Sequence, residues 1–216
     1  MRTVEIKILK FNELSDKAKE AARQWWIKCE TEDSSSQEYI YFQEYIYEDA
    51  STIAELFGLD IKTRRVPLMG GGHRYDPAIF YSGFWSQGAG ACFEGNYSYR
   101  VGALAAVKAH APEDKELHEI VRQLQMAQAK NFYQVACTTK HSGYYYHSGC
   151  MSVEPEHGSN SVVNDEDAFI QALREFADWI YKRLEDAWDY TVSDEHVDEM
   201  MELNDYEFTE DGEVYI

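Results

Sequence analysis

Between Asp165 and Tyr190 the apolar residues Phe169, Leu173, Phe176, Ile180, Leu184 and Trp188 recur at three- and four-residue steps, the spacing of one helical face. A stripe this long needs a large apolar surface to lie on, so the rest of the chain must supply a core. Two more amphipathic patterns lie upstream. Asn12 or Ser15 can cap a helix carrying Leu14, Ala18, Ala21, Ala22 and Trp25. After a polar break from Glu30 to Gln37, a second helix carries Phe42, Ile46, Ala50, Ile53, Ala54 and Phe57, with Gly58 as its stop. Pro112 suits the first turn of a helix bearing Leu117, Ile120, Val121 and Leu124, and Ser193 can cap a short last helix.

Strand patterns occupy the remainder. Thr3 to Phe11 alternates Val4, Ile6 and Ile8, and Leu59 to Pro67 reads as a strand. Ile79 to Trp85 and Ala91 to Tyr99 form a hairpin that turns at Gln87-Gly88-Ala89-Gly90. Gly83 and Gly95 fall inside those strands, where glycine marks a bulge or the close approach of another backbone or a ligand. A second hairpin runs from Tyr133 to Glu154 and turns near Ser142-Gly143, and Tyr206 to Ile216 is an edge strand or a tail. Gly70 to Gly72 form a loop without the Lys-Ser/Thr ending of a phosphate-binding loop. With no βαβ alternation and no tandem repeat, the expected class is α+β. It has a central antiparallel sheet built from hairpins, several flanking helices and a long acidic C-terminal helix. One domain over 1–216 is expected, with an acidic helical subregion at 164–216.

The chain has 216 residues, 44% apolar and 27% charged, the balance of a soluble globular protein. No apolar run approaches membrane-spanning length and no signal-peptide core is present, so a cytoplasmic location and no membrane partner are expected. Cys29, Cys92, Cys137 and Cys150 lack the density of a disulfide scaffold and are expected to be thiols. The net charge of -19 is concentrated: residues 164–216 hold 18 acidic against 3 basic side chains. Such a surface repels phosphate backbones and attracts cations. A basic protein surface is therefore the expected partner, direct nucleic-acid binding is not, and homo-oligomerisation stays open. Asp194, Glu195, Asp198 and Glu199 are the candidate acidic surface.

Cys137, His141, His147 and Cys150 fall within fourteen residues and invite a zinc reading. On strands, Cys137, Thr139 and His141 share a face, whereas His147 and Cys150 point oppositely, so four ligands would need a bulge at Gly149. No metal and no cofactor are expected. Catalytic patterns are missing too: there is no Gly-x-Ser-x-Gly elbow, no His-Glu-x-x-His and no Walker sequence. Cys92 beside Glu94 reads as a small buried hydrophobe, so no catalytic residues are assigned. Aromatics make up 14% of the chain and gather in the two hairpins. The candidate binding residues are Phe84, Trp85, Gln87, Glu94, His141, Tyr144, Tyr146 and His147, a pocket fit for a protein side chain or a planar ligand such as a base.

The segment Tyr81-Ser-Gly-Phe-Trp-Ser-Gln-Gly-Ala-Gly-Ala-Cys-Phe-Glu-Gly95 resembles the hallmark F-S-G-F-W-S-Q-G-D-G-A-x-F-E-G of a phage- and prophage-encoded family known as "antitoxin of toxin-antitoxin stability system". Leu14 to Lys19, Tyr47 to Ala50, His141 to His147, Phe176 to Tyr181 and Tyr206 to Gly212 are similar as well, so the resemblance spans nearly the whole chain. The acidic turn residue of that family is Ala89 here. The resemblance implies a non-enzymatic, phage-encoded acidic binding protein, acting in the host cytoplasm, that neutralises a host or mobile-element protein. It would act as an antitoxin or a counter-defence inhibitor, with nucleic-acid mimicry by the acidic helices as one route. A small-molecule or nucleotide-signal binder using the aromatic pocket is the alternative, and a metal-dependent enzyme the third reading.

Overall fold

A computed structural model of the chain describes residues 5–32, 37–68, 70–84, 87–159 and 161–215, with backbone alone at 31, 32 and 37–42. In chain order the elements are β1 (Ile8–Lys10), α1 (Asp16–Glu32), α2 (Gln37–Phe57), β2 (Leu59–Ile61), β3 (Thr63–Pro67), β4 (His73–Pro77), β5 (Ile79–Tyr81) and β6 (Ala91–Phe93). They continue with β7 (Gly95–Ser98), α3 (Ala103–His110), α4 (Lys115–Lys130), β8 (Val135–His141), β9 (Met151–His157), α5 (Glu166–Thr191), α6 (Asp194–Leu203) and β10 (Glu207–Thr209). All paired strands are antiparallel, and the fold is α+β. Among the described residues no helix is long and apolar enough to cross a membrane. The chain forms two compact units, residues 1–44 with 184–216, and residues 45–183. The acidic segment from 164 therefore begins in the second unit and ends in the first.

In the first unit β1 pairs with β10, which sets Leu9 opposite Phe208. The Ser15 hydroxyl accepts from the Ala18 N–H at 3.3 Å, capping α1. The core holds Phe11, Leu14, Ala18, Ala22, Trp26, Val197, Met201 and Phe208. Trp26, rather than Trp25, thus continues the buried line of α1, and Ala21 is exposed. Trp25 lies half-buried, edge-on to Tyr206 at 5.4 Å. Ser193 caps α6 through the His196 N–H at 3.3 Å. The first strand is shorter than the alternation suggests, since β1 begins at Ile8; Thr3 and Val4 lie outside the described residues.

In the second unit β2, β7, β8 and β9 form a four-stranded sheet in the order β2-β7-β8-β9. One face is apolar, with Leu59, Tyr97, Val135, Cys137, Met151 and Val153 buried. The other presents Asp60, Asn96, Ser98, Lys140 and Glu154 and stays open. The long stripe of α5 is buried at Phe169, Leu173, Phe176, Ile180 and Leu184, and α4 buries Leu117, Ile120, Val121 and Leu124. Phe176 meets Phe57 edge-on at 4.9 Å and Phe93 at 5.7 Å, and stacks on Trp179 at 5.5 Å.

Several expected elements divide. The run Leu59 to Pro67 becomes β2 and β3 in separate sheets, and the return strand after the glycine turn breaks at Glu94 into β6 and β7. Glu94 joins the pieces by backbone alone: its N–H donates to Ala78 and its carbonyl accepts from Lys62, each at 2.9 Å. A Cβ on Gly95 would lie 2.6 Å from the Asp60 carbonyl, so glycine is required by a neighbouring strand. Pro112 sits before α4, whose cap is Asp114. The Asp114 carboxylate accepts from the Leu117 N–H (2.9 Å), the Trp179 indole (2.8 Å) and the Arg183 guanidinium (2.5 Å). Burial alone would raise its pKa, but these three donors outweigh burial and hold it below the usual carboxylate value.

A carboxylate with a lowered folded-state pKa contributes stability that is complete at neutral pH and lost as pH falls through that lowered value. Asp114→Asn keeps the shape and removes the charge, so it should cost about 1.5 to 3 kcal/mol at neutral pH, as for hydrogen bonds to charged groups. Urea unfolding at several pH values should show the gap to wild type closing as the medium becomes acidic.

Candidate binding site

In the loop joining β5 to β6, Gly88 and Gly90 rest on the loop joining β8 to β9. The contact is made by glycines. A Cβ on Gly90 would overlap the His147 Cβ and lie 2.9 Å from the His147 Cα and 3.3 Å from the Tyr146 carbonyl. Only glycine allows the two backbones to touch there. A Cβ on Gly88, whose φ is +82°, would lie 3.3 Å from the Tyr145 ring. A Cβ on Gly149 would lie 2.5 Å from the His147 imidazole Cε1, so a larger residue there would shift that ring. The Gly149 N–H donates to His147 Nδ1 at 2.8 Å and shapes the 3-10 turn Ser148–Cys150.

Between the loops lies a groove of about 510 Å³ lined by Ser82, Gln87, Gly88, Gly143, Tyr144, Tyr145 and Tyr146. Tyr144 is 88% exposed and Tyr145 54%, set edge to face at 5.2 Å. Tyr146 is half-buried and buttressed from behind: it stacks on Phe80 at 5.6 Å and 14°, with His141 at 4.8 Å. His141 Nε2 lies 3.2 Å from the Tyr145 carbonyl and donates to it, which holds the tyrosine run in place. Phe84 turns away, toward Tyr81 (5.6 Å) and Tyr181 (5.7 Å), while the Tyr181 hydroxyl donates to the Gly83 carbonyl at 3.3 Å.

Of the residues singled out from sequence, Gln87, Tyr144 and Tyr146 line this groove, and His141 supports it. Phe84 packs beside the loop, His147 shapes the 3-10 turn, Glu94 lies at the strand break, and Trp85 is outside the described residues. Ser82 and Tyr145 escaped notice as site residues, as did the buttress Phe80. The signal for Tyr145 was present in three consecutive tyrosines, but β8 ends at His141, so all three sit on a loop where strand alternation does not apply.

Among the described residues, the polar groups nearby are engaged with one another. Burial raises the pKa of Asp178 on α5, an effect opposed by its hydrogen bond with Ser148 and by nearby His147, and reinforced by Glu175. The Ser148 hydroxyl thus meets a carboxylate, and His147 Nδ1 is already occupied by the Gly149 N–H. Cys92 and Cys137 are buried, and burial pushes both thiols up to about 12. Among the described residues no three His, Cys, Asp or Glu side chains are grouped to hold a metal ion. On α6, Asp198 takes both ends of the Arg23 guanidinium at 2.6 and 2.7 Å, and Asp194 lies 3.1 Å from it, whereas Glu195 and Glu199 face solvent. Two of the four acids named from sequence are therefore engaged within the first unit.

Gly90→Ala should destabilise the fold by about 1 to 3 kcal/mol in urea unfolding, the usual cost of forcing an extra carbon into a packed contact. At neutral pH exposed Cys29 should be alkylated rapidly, while Cys92 and Cys137 should react only after denaturation, as read by mass spectrometry of digests.

No curated protein and no solved structure matches this chain. A family described as a domain of unknown function, DUF8835, matches residues 42–194, which take in the whole second unit with both groove loops. The match covers well over half of the sequence, and the chain belongs to the DUF8835 family.

Proposed function

We propose that the protein is a non-enzymatic binding protein that neutralises a host or mobile-element protein, engaging it through the groove between loops 82–90 and 142–150. The observation that carries this reading is the run Tyr144 to Tyr146, two of its rings exposed on a loop stiffened by backbone contact at Gly90. Large, rigid aromatic side chains with hydrogen-bonding tips bind protein surfaces with little loss of side-chain entropy. The resemblance of Tyr81 to Gly95 to phage-encoded antitoxins supports a protein target, either a toxin or a defence factor met in the host cytoplasm. Nucleic-acid mimicry by the acidic segment would rest on Glu195 and Glu199, since Asp194 and Asp198 are bound to Arg23.

The groove volume also favours a second reading, a small planar ligand such as a nucleotide signal, because pockets of roughly 300 to 1,000 Å³ suit such molecules. Salt separates the routes: binding through acidic side chains weakens steeply with ionic strength, whereas groove binding persists.

Tyr144→Ala should leave thermal stability within about 0.5 kcal/mol, as expected for an exposed position. It should weaken capture of the partner from host lysate by about 2 kcal/mol or more. Full capture by Tyr144→Ala, together with its loss in Glu195→Gln/Glu199→Gln, would move the binding surface to α6. Thermal stabilisation by free nucleotides that Tyr144→Ala abolishes would favour the small-ligand reading.

A further inference from the structure

Residues 61–77 invert the charge of the chain around them. They hold Lys62, Arg64, Arg65 and Arg74 against one acid, Asp76, in a sequence with 39 acidic and 20 basic side chains. β3 and β4 fold this stretch into a two-stranded ribbon, with Arg65 opposite Tyr75, Pro67 opposite His73 and Arg64 opposite Asp76. Strand parity sorts the residues onto two faces. Arg64, Val66 and Asp76 are half-buried, and Arg64 sits over the Phe80 ring at 5.1 Å, which anchors the ribbon.

Thr63, Arg65, Pro67, His73 and Tyr75 make up the other face, and all five are exposed. On it the Arg65 guanidinium lies 3.0 Å from His73 Nδ1, and the His73 and Tyr75 rings meet at 5.2 Å. Tyr75 is 66% exposed. Arg74 is engaged by Asp76 at 2.9 Å, but among the described residues neither Lys62 nor Arg65 has a carboxylate at ion-pair distance. At the tip, Gly70, Gly71 and Gly72 have φ of +96°, +97° and +89°, and nothing lies within 4 Å of where their Cβ atoms would be. The outer face thus combines Arg65, which among the described residues has no carboxylate at ion-pair distance, with two stackable rings.

We propose that the outer face of the β3–β4 ribbon docks single-stranded nucleic acid, with a phosphate at Arg65 and a base stacked on Tyr75. An acidic peptide would draw on the one arginine alone; a nucleotide strand also uses the rings, since base–aromatic stacking is sequence-tolerant and adds to a phosphate contact. The charge argument against phosphate binding applies to residues 164–216, and the ribbon is its local opposite. One phosphate contact on a single strand predicts a slope of about -0.7 in log affinity against log salt.

Fluorescence anisotropy of the full chain with a labelled, short, mixed-sequence single strand tests this. Saturable binding with that shallow salt slope is expected, weakened about fivefold or more by Arg65→Ala and by Tyr75→Ala and retained by Tyr75→Phe. Circular dichroism should show all three variants folded, because the substituted side chains face solvent. No saturable binding at low salt would overturn the proposal, as would binding that both alanine variants retain, or tighter binding of a poly-glutamate peptide.

Discussion

Burial of the Phe176 ring is the contact on which the second unit depends. Phe57 from the end of α2, Phe93 from β6 and Trp179 from the next turn of α5 converge on it. Two of them arrive just before a change of chain direction: Gly58, at φ +93°, follows Phe57, and the strand break at Glu94 follows Phe93. A large aromatic ring in a close-packed centre tolerates few alternative arrangements. Fixing it therefore fixes where β2 and β7 start, and with them the register of the four-stranded sheet.

The groove is set by where two hairpins end. Ending β5 at Tyr81 and starting β6 at Ala91 releases a nine-residue loop, and ending β8 at His141 releases another. They leave two different sheets, β5-β6 and the four-stranded one, and their backbones meet. Gly88 and Gly90 let them interlock, against Tyr145, Tyr146 and His147. Apolar rings exposed on a stiff loop are uncommon where burial is available, because each forfeits roughly 25 cal/mol for every Å² left in water. Tyr146 shows the alternative on the same loop, stacked on Phe80 and half-buried.

Electrostatics divides along the chain in the same spirit. The first unit carries its acids on α6 and β10, partly neutralised by Arg23, Lys7 and Lys10. In the second unit the cations of β3 and β4 lie on a ribbon with a bare glycine tip. Each surface suits a different kind of partner, and net charge alone would have hidden the second.

Local pattern decided the helices. The stripes of α2, α4 and α5 follow from 3.6-residue periodicity, and Ser15, Gly58 and Ser193 mark ends because capping and left-handed turns are short-range effects. Pro112 suits a first helical turn, but α4 begins at Lys115 with Asp114 as its cap, since nothing local shows that Trp179 and Arg183 come together to hold Asp114. Periodicity also could not tell that the run Leu59 to Pro67 serves two sheets, because strand pairing is a long-range choice. Gln87, Tyr144 and Tyr146 were legible as site residues from composition beside a glycine turn. Ser82, Tyr145 and the displacement of Glu94 and Phe84 from the groove were settled only when the two loops met. Sequence by itself determined the helical stripes, the glycines and the uneven charge, all properties of neighbours along the chain. Tertiary structure alone decided which aromatics face water, because exposure depends on what packs against each ring.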